Sequence, residues 1–114
     1  MQWDKIMEAA KRLENLLRRA DMDLNEAQKA IGYYLFKGCD DTAMERYLKE
    51  MAENPPPRSK RTQGYYRELY RIWQQWSPQC VRDGLDGMDK ARAWNWGIRM
   101  ARSELLLPQP QQHL

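Results

Sequence analysis

Apolar residues recur at steps of three and four along most of this chain, which is the spacing of one face of an α-helix. In the first such run Ile6, Ala10, Leu13 and Leu17 fall on a common face. β-branched residues, which favour strands, are scarce, and valine occurs only at Val81. The pattern therefore predicts an all-α fold, a compact bundle of about five helices.

Caps and breakers between the periodic runs set the expected helix boundaries. The predicted helices are about 3–20, about 24–37, a third from Asp40 or Asp41 to near Glu53, a fourth from Ser59 or Thr62 through Trp76, and about 88–106. Asp23 with Glu26 resembles a capping box, and Gly38 is expected to close the second helix. Ser77 and Pro78 are expected to end the fourth helix, which leaves residues 79–87 as a loop.

Each predicted helix has an apolar face that we expect to be buried. Besides aliphatic residues such as Leu13, these faces include Trp3 and Met7 in the first helix, Leu35 in the second and Met88 in the fifth. The fourth and fifth helices each carry an aromatic seam that we expect to be buried.

Three consecutive prolines divide the chain in composition. Because proline fixes φ and lacks a backbone donor, residues 54–57 predict an extended connector between helices three and four. Neither side is large enough for a comfortable core of its own, so we expect a single helical domain over residues 1–107. Residues 108–114 are expected to form a disordered tail.

The net charge changes sign at the same connector. Residues 1–53 carry nine Lys/Arg and eleven Asp/Glu, a net of −2, whereas residues 54–114 carry ten and five, a net of +5. Four of the five tryptophans lie in the basic half. Arginines interleaved with aromatic residues favour a polyanion partner, most often nucleic acid, with an acidic protein partner or a solvated basic surface as alternatives.

Helical projection separates the basic residues of this half from its aromatic seam. Guanidinium groups form paired hydrogen bonds to phosphate oxygens, and exposed rings stack on bases. The candidate nucleic-acid-binding residues are Arg58, Lys60, Arg61, Arg67, Arg71, Arg92, Arg99 and Arg102. Trp73 and Trp94 are expected in the core, whereas Trp76 and Trp96 lie at the edge of the apolar arc and are candidate stacking residues.

No motif in the sequence specifies a reaction. The only histidine, His113, lies in the tail, and no catalytic triad, phosphate loop or dinucleotide-binding glycine motif occurs. Asp83, Asp86 and Asp89 are spaced somewhat like a calcium loop but lack its closing glutamate, so they are expected to form a capped loop. We therefore expect no enzymatic activity, no catalytic residue, no cofactor and no metal site.

The sequence also lacks the signals of a membrane or secreted protein. No apolar run approaches the ~20 residues needed to cross a bilayer, and the first residues have no signal-type apolar core. The expected location is cytoplasmic, with no membrane partner. Cys39 and Cys80 are expected to be free thiols, as is usual in a reducing compartment.

Two segments of the basic half resemble the small α-helical subunits of type III CRISPR effector complexes. They are KRTQGYYR at residues 60–67 and KARAW at residues 90–94. The resemblance implies a helical bundle that lines an antiviral ribonucleoprotein in several copies and binds the guide–target duplex backbone without cleaving it. It implies that the contact residues are Lys60, Arg61, Arg67, Arg92 and Arg99. Small subunits of type I complexes would look much the same.

Three functions are consistent with these observations. The leading one is a non-catalytic binder of the backbone of RNA or single-stranded nucleic acid, acting with the other subunits of an effector complex. The alternative is a helical protein–protein adaptor whose acidic and basic ends associate head to tail. A helix-turn-helix DNA binder fits less well, because a long proline connector precedes the fourth helix and a loop follows it.

Overall fold

Five α-helices make up the part of the chain that the structure describes. The computed structural model describes the backbone at residues 2–54 and 60–106, and the side chains at 2–54 and 61–103. The helices are α1 (Trp3–Arg19), α2 (Leu24–Phe36), α3 (Asp41–Glu53), α4 (Lys60–Arg82) and α5 (Gly87–Leu106), and these ranges contain no strand. The predicted all-α bundle is confirmed. The proline connector and the tail at 108–114 lie outside the described residues.

α1 and α5 share the most extensive contact of any described helix pair. α5 lies against both α1 and α2, while α4 lies against α1 and α3. At Gly97 an added Cβ would lie 2.8 Å from Cδ2 of Leu13 and 3.0 Å from the carbonyl oxygen of Ala10. The absence of a side chain at Gly97 therefore sets how closely α5 approaches α1.

Three tryptophans and one tyrosine fill the centre of the core. Trp73, Trp76 and Trp94 are at most 3 % exposed, and their ring centroids lie between 5.3 and 5.9 Å apart. Tyr34 packs edge-on against Trp73, with centroids 5.1 Å apart. The indole nitrogens of Trp76 and Trp94 donate to carbonyl oxygens in α1 and α2, at 2.8 and 3.0 Å. These bonds satisfy the only polar atoms that the two indoles bring into the core.

Aspartate side chains cap the N-termini of three of the helices. Asp40 Oδ1 accepts hydrogen bonds from the backbone nitrogens two and three residues further on, at 2.9 and 3.2 Å, which confirms a cap for α3. Asp23 and Asp86 cap α2 and α5 in the same manner, at 2.9 and 2.8 Å. The capping box predicted at α2 is only half formed, because Glu26 pairs with Lys29 at 3.3 Å.

A residue with positive φ follows the C-terminus of each of α1, α2 and α4. They are Asp21 (φ 50°), Gly38 (φ 69°) and Gly84 (φ 84°). At Gly38 its own amide and the next one bond back to carbonyl oxygens of the last turn of α2, at 3.0 and 2.9 Å, in the Schellman pattern. The predicted glycine ending of α2 is confirmed, and α1 uses an aspartate in the same place.

The predicted end of α4 at Ser77 and Pro78 is wrong. The helix continues through Pro78 to Arg82, so only a short segment separates it from α5. Pro78 is exposed, while Cys80 in the next turn and Leu85 beyond the helix are buried. Burial of these two side chains compensates for the backbone hydrogen bond that the proline removes.

Several predicted details at the helix ends are also wrong. Trp3, Met7, Leu35 and Met88 were expected in the core, but their exposed fractions range from 37 to 48 %. Three of them lie in a terminal turn, where the apolar periodicity continues but no neighbouring helix covers it. Thr62 lies inside the first turn of α4 and does not precede it, and the alternative cap at residue 59 lies outside the described residues.

An ion pair between a buried lysine and a half-exposed aspartate connects α5 to α3, and a hydrogen bond from the same lysine connects α5 to α4. The Lys90 ammonium, with its side chain 2 % exposed, lies 2.6 Å from Oδ2 of Asp41 and 3.1 Å from the Ser77 hydroxyl. The Tyr34 hydroxyl donates to Oδ1 of the same aspartate at 2.7 Å. The ammonium also lies 5.5 Å from the ring centroid of Trp73. We refer to Lys90, Asp41, Ser77 and Tyr34 as the Lys90 cluster.

Candidate nucleic-acid interface

The predicted basic residues of α4 lie on its exposed surface where the structure describes them. Arg61 and Arg67 are exposed, and no described carboxylate lies within 4.0 Å of either guanidinium. Arg71 forms an ion pair with Glu68 on the same helix. Of the predicted contact residues on α4 whose side chains are described, Arg61 and Arg67 therefore carry uncompensated charge. Residue 58 and the side chain at residue 60, also among the predicted contacts, lie outside the described residues.

The predicted arginines of α5 come together along one groove. Arg92, Arg99 and Arg102 line a groove of about 510 Å³ between α5 and α2. The other lining residues are Gln28, Asn95, Trp96 and Ile98. We call this the α5 groove. Its lining combines guanidinium groups, two primary amides and an indole, which are the groups that recognise phosphate, sugar and base.

Most of the positive charge in the α5 groove is uncompensated. Arg92 pairs with Asp89 at 3.1 Å, whereas the described partners of Arg102 are amide oxygens, at 3.3 and 3.5 Å. Among the described residues, no carboxylate forms an ion pair with Arg99. Three guanidinium groups and one carboxylate leave a net charge of about +2 to be balanced by solvent ions or a ligand.

Trp96 lines this groove, and the Arg99 guanidinium lies over its ring. Cζ of Arg99 lies 5.1 Å from the ring centroid of Trp96, within cation–π distance. The indole is partly buried. This contact positions the Arg99 fork on the groove wall, and Trp96 stays a candidate stacking residue.

The prediction of Trp76 as a stacking residue is wrong. Its side chain is 1 % exposed, and its nitrogen donates to the Ala9 carbonyl oxygen at 2.8 Å. Helical projection placed Trp76 at the edge of the apolar arc of α4. Because α1 packs against α4 at Trp76 in addition to α3, the buried arc of α4 is wider than one packing partner would require.

The structure contains a second basic groove that was not predicted from the sequence. It has a volume of about 360 Å³ and lies between α1 and α4. Its lining residues are Arg12, Asn15, Leu16 and Arg19 from α1, and Gln75, Trp76, Gln79 and Arg82 from α4. We call this the α1–α4 groove. The seven-residue spacing of Arg12 and Arg19 signals a shared helix face, but Arg82 joins them only because α4 continues past Pro78.

The aspartates between α4 and α5 each have a different partner. Asp83 lies 3.4 Å from the Arg12 guanidinium, Asp86 caps α5, and Asp89 pairs with Arg92. Within residues 2–54 and 60–106, no three His, Cys, Asp or Glu side chains are arranged to hold a metal ion. The three carboxylates therefore act as caps and ion-pair partners.

Both cysteines are free thiols. Burial raises the pKa of the Cys80 thiol to about 11, although the nearby Arg12 guanidinium acts in the opposite direction. Burial and the Asp41 carboxylate also raise the pKa of Cys39. Both thiols are protonated at neutral pH, which is the state of structural rather than reactive cysteines.

Comparison with known proteins identifies no relative. A scan of protein-family models, a search of curated proteins and a search of solved structures each found no match to this chain. The resemblance to CRISPR small subunits therefore stays a prediction from the sequence. None of the described helices combines the length and apolar character that a bilayer-crossing segment requires.

Proposed function

We propose that this chain is a non-catalytic protein that binds the phosphate backbone of RNA or single-stranded nucleic acid. The observation that carries the proposal is the α5 groove, which aligns three arginines with only one paired carboxylate. An arginine surface that served only for solubility would pair its guanidinium groups with nearby acids or spread them over separate faces. In this groove, Arg99 and Arg102 share one wall without an acidic partner among the described residues.

The groove suits contact with several phosphates of one strand. Arg92 and Arg99 are separated by seven residues on α5, or about 10 Å along the helix axis. Each guanidinium offers a planar fork of donors to phosphate oxygens, and the groove amides offer neutral donors to sugar and phosphate. Such contacts position a strand without reading its bases. Binding is driven largely by release of counterions from the strand.

The proposal includes membership of a cytoplasmic ribonucleoprotein. It is supported by the resemblance at residues 60–67 and 90–94, by the exposure of Arg67 in the first segment and by the exposure of Arg99 five residues beyond the second. In this assembly the chain would serve as a small subunit that holds a guide–target duplex by its backbone. Affinity purification of the tagged chain from its native cell tests this: a bound RNA and additional subunits are expected, and purification of the chain alone would contradict it.

Fluorescence anisotropy with a labelled single-stranded RNA tests the groove directly. We expect the double variant Arg99→Gln with Arg102→Gln to bind more weakly and to reduce the slope of log K against log salt by about 1.4, at 0.7 for each lost contact. Arg46→Gln is the matched control, because Arg46 is an exposed arginine on α3 outside both grooves. Equal affinities and salt slopes for the double variant and the control would contradict the proposal.

An adaptor function is the second candidate, and one observation favours it. Phe36 is 82 % exposed at the end of α2, beside the exposed Leu35. Met88 is also exposed, and its sulfur lies 3.6 Å from the Cys39 thiol that follows α2. Clustered exposed apolar side chains often mark contacts between proteins. If copies of the chain associate through this end, sedimentation velocity should show concentration-dependent association that Phe36→Ser removes. A monomer at every concentration would contradict it.

A further inference from the structure

The α1–α4 groove has the chemistry of an anion site that is separate from the α5 groove. The two grooves share no lining residue. Residues of α1 and α4 line only the α1–α4 groove, and residues of α2 and α5 line only the α5 groove. Arg12 and Arg19 approach from α1, and Arg82 approaches from α4. Three guanidinium groups from two helices thus face a single depression in the surface.

Hydrogen bonds within this groove hold two of the three guanidinium groups in place. Arg12 donates to Oδ2 of Asp83 at 3.4 Å, and Gln79 donates to Oδ1 of the same aspartate at 3.1 Å. The amide oxygen of Gln79 in turn accepts from Arg82 at 2.7 Å. A chain of side chains therefore connects Arg12 to Arg82 and orients both forks before any ligand arrives.

The charge of this groove is not balanced. Asp83 is its only ion-pair partner among the described residues, and it pairs with Arg12. Arg82 bonds to a neutral amide, and Arg19 is exposed with no described carboxylate in ion-pair distance. Three arginines and one aspartate leave a net charge of about +2 in a groove of about 360 Å³.

The arrangement favours phosphate over carboxylate as the ligand. A carboxylate holds its two oxygens in one plane and is satisfied by one guanidinium fork, whereas a phosphate group arranges its oxygens tetrahedrally, with three terminal oxygens in a monoester and two in a diester, so guanidinium groups can approach it from different directions. The amides of Asn15 and Gln75 add neutral donors, and Leu16 adds an apolar side chain beside the buried Trp76. The volume lies at the small end of the range for ligand sites, which is enough for a phosphate with an attached sugar or base.

We propose that the α1–α4 groove binds a phosphate ester through Arg12, Arg19 and Arg82. The ligand is either a free nucleotide or a phosphodiester of a nucleic-acid strand. This inference does not depend on RNA binding at the α5 groove, because each groove carries its own uncompensated charge on its own pair of helices.

Isothermal titration calorimetry of the full chain tests the site with two probes, a 5′-mononucleotide and a short single-stranded RNA. The test variant is Arg19→Gln with Arg82→Gln, two exposed residues whose replacement leaves Asp83 paired with Arg12. We expect it to bind at least one of these probes about tenfold more weakly than the wild type, the loss of about 1.4 kcal/mol. Arg46→Gln controls for the general loss of positive charge.

The outcomes separate the two ligand sources and the two grooves. Loss of mononucleotide binding assigns a free nucleotide to the groove, whereas a loss seen only with the RNA assigns a phosphodiester. Wild-type affinity of the test variant for both probes would overturn the inference, as would an equal loss in Arg46→Gln or no binding of either probe to the wild type. If Arg99→Gln with Arg102→Gln keeps full RNA affinity while the test variant loses its probe, the α5 groove proposal fails and this one stands.

Discussion

The Lys90 cluster allows an unusual prediction about the stability of this fold. The Lys90 side chain is 2 % exposed, whereas its partner Asp41 is 51 % exposed. Neutralising Asp41 leaves a buried ammonium without a counter-charge, but removing Lys90 leaves a carboxylate that water can reach. We therefore expect substitution of the more exposed partner to lower the free energy of unfolding more than substitution of the buried one.

The structure sets the size of each effect. Breaking a buried ion pair from one side costs about 3–5 kcal/mol, and water entering where Asp41 is exposed reduces this to about 2–3 kcal/mol for Asp41→Asn. Lys90→Met keeps most of the apolar stem and loses chiefly the hydrogen bond to the buried Ser77 hydroxyl, about 1 kcal/mol. The two variants should therefore differ by between about 1 and 2 kcal/mol.

Urea unfolding at neutral pH, followed by tryptophan fluorescence, measures this difference. Trp73 lies close to the ammonium and reports on its surroundings. Glu45→Gln is the control, because Glu45 is an exposed acid on α3 with no ion pair among the described residues; its effect should stay within about 0.5 kcal/mol. A lower unfolding free energy for Lys90→Met than for Asp41→Asn would refute the reasoning, since desolvation of the ammonium would then not dominate.

Three further predictions concern packing, pH and binding. Gly97→Ala should lower the unfolding free energy by about 1–2 kcal/mol through contact with α1. Gly64→Ala should raise it by about 0.5–1 kcal/mol, because apart from its chain neighbours and the nearby backbone of α4 nothing lies within 4 Å of the added methyl. Thermal unfolding that ranks the two variants otherwise contradicts the described helix crossing. The Cys80 thiol has a pKa of about 11 when folded against 9.0 as the ordinary value, so the stability it contributes is complete below pH 9 and is lost as the pH rises towards 11. Urea unfolding near pH 8 and near pH 10 under reducing conditions should show a smaller alkaline loss for Cys80→Ala than for the wild type, and equal losses would exclude this thiol as the source. Arg67→Glu with Arg99→Glu should abolish single-stranded RNA binding at low salt with an unchanged circular dichroism spectrum, and parental affinity in that variant would count against the proposed function.

Local signals in the sequence were enough to predict most of the helices. The Asp40 cap and the left-handed Gly38 are short-range features that act within a few residues, so they hold whatever the tertiary packing. The end of α4 is different. Pro78 is an unfavourable residue inside a helix, and the helix passes it because Cys80 and Leu85 are buried by other parts of the chain. The residues next to Pro78 in the sequence do not show that distant parts of the chain will bury these side chains.

The sequence predicts which arginines belong to the candidate site, but it does not predict all of their hydrogen-bond partners or which of them share a groove. The ion pair of Arg92 with Asp89 follows from their three-residue spacing on one helix. That Arg102 bonds to amides of α2, and that Arg82 shares a groove with α1, depends on how the helices are rotated about their axes. Rotation is set by the packing of the core. Helical projection of a single helix therefore separates arginines from tryptophans but does not show which arginines share a groove.

The close contact between α1 and α5 has a consequence for how the protein is made. Leu13 of the first helix is covered where Gly97 of the last helix packs against it. While the chain is being synthesised, α1 leaves the ribosome long before its partner helix exists, and its apolar face stays uncovered in the meantime. The contact between α1 and α5 therefore crosses the charge boundary in the middle of the chain. The packing of α1 can be completed only after α5 has been synthesised.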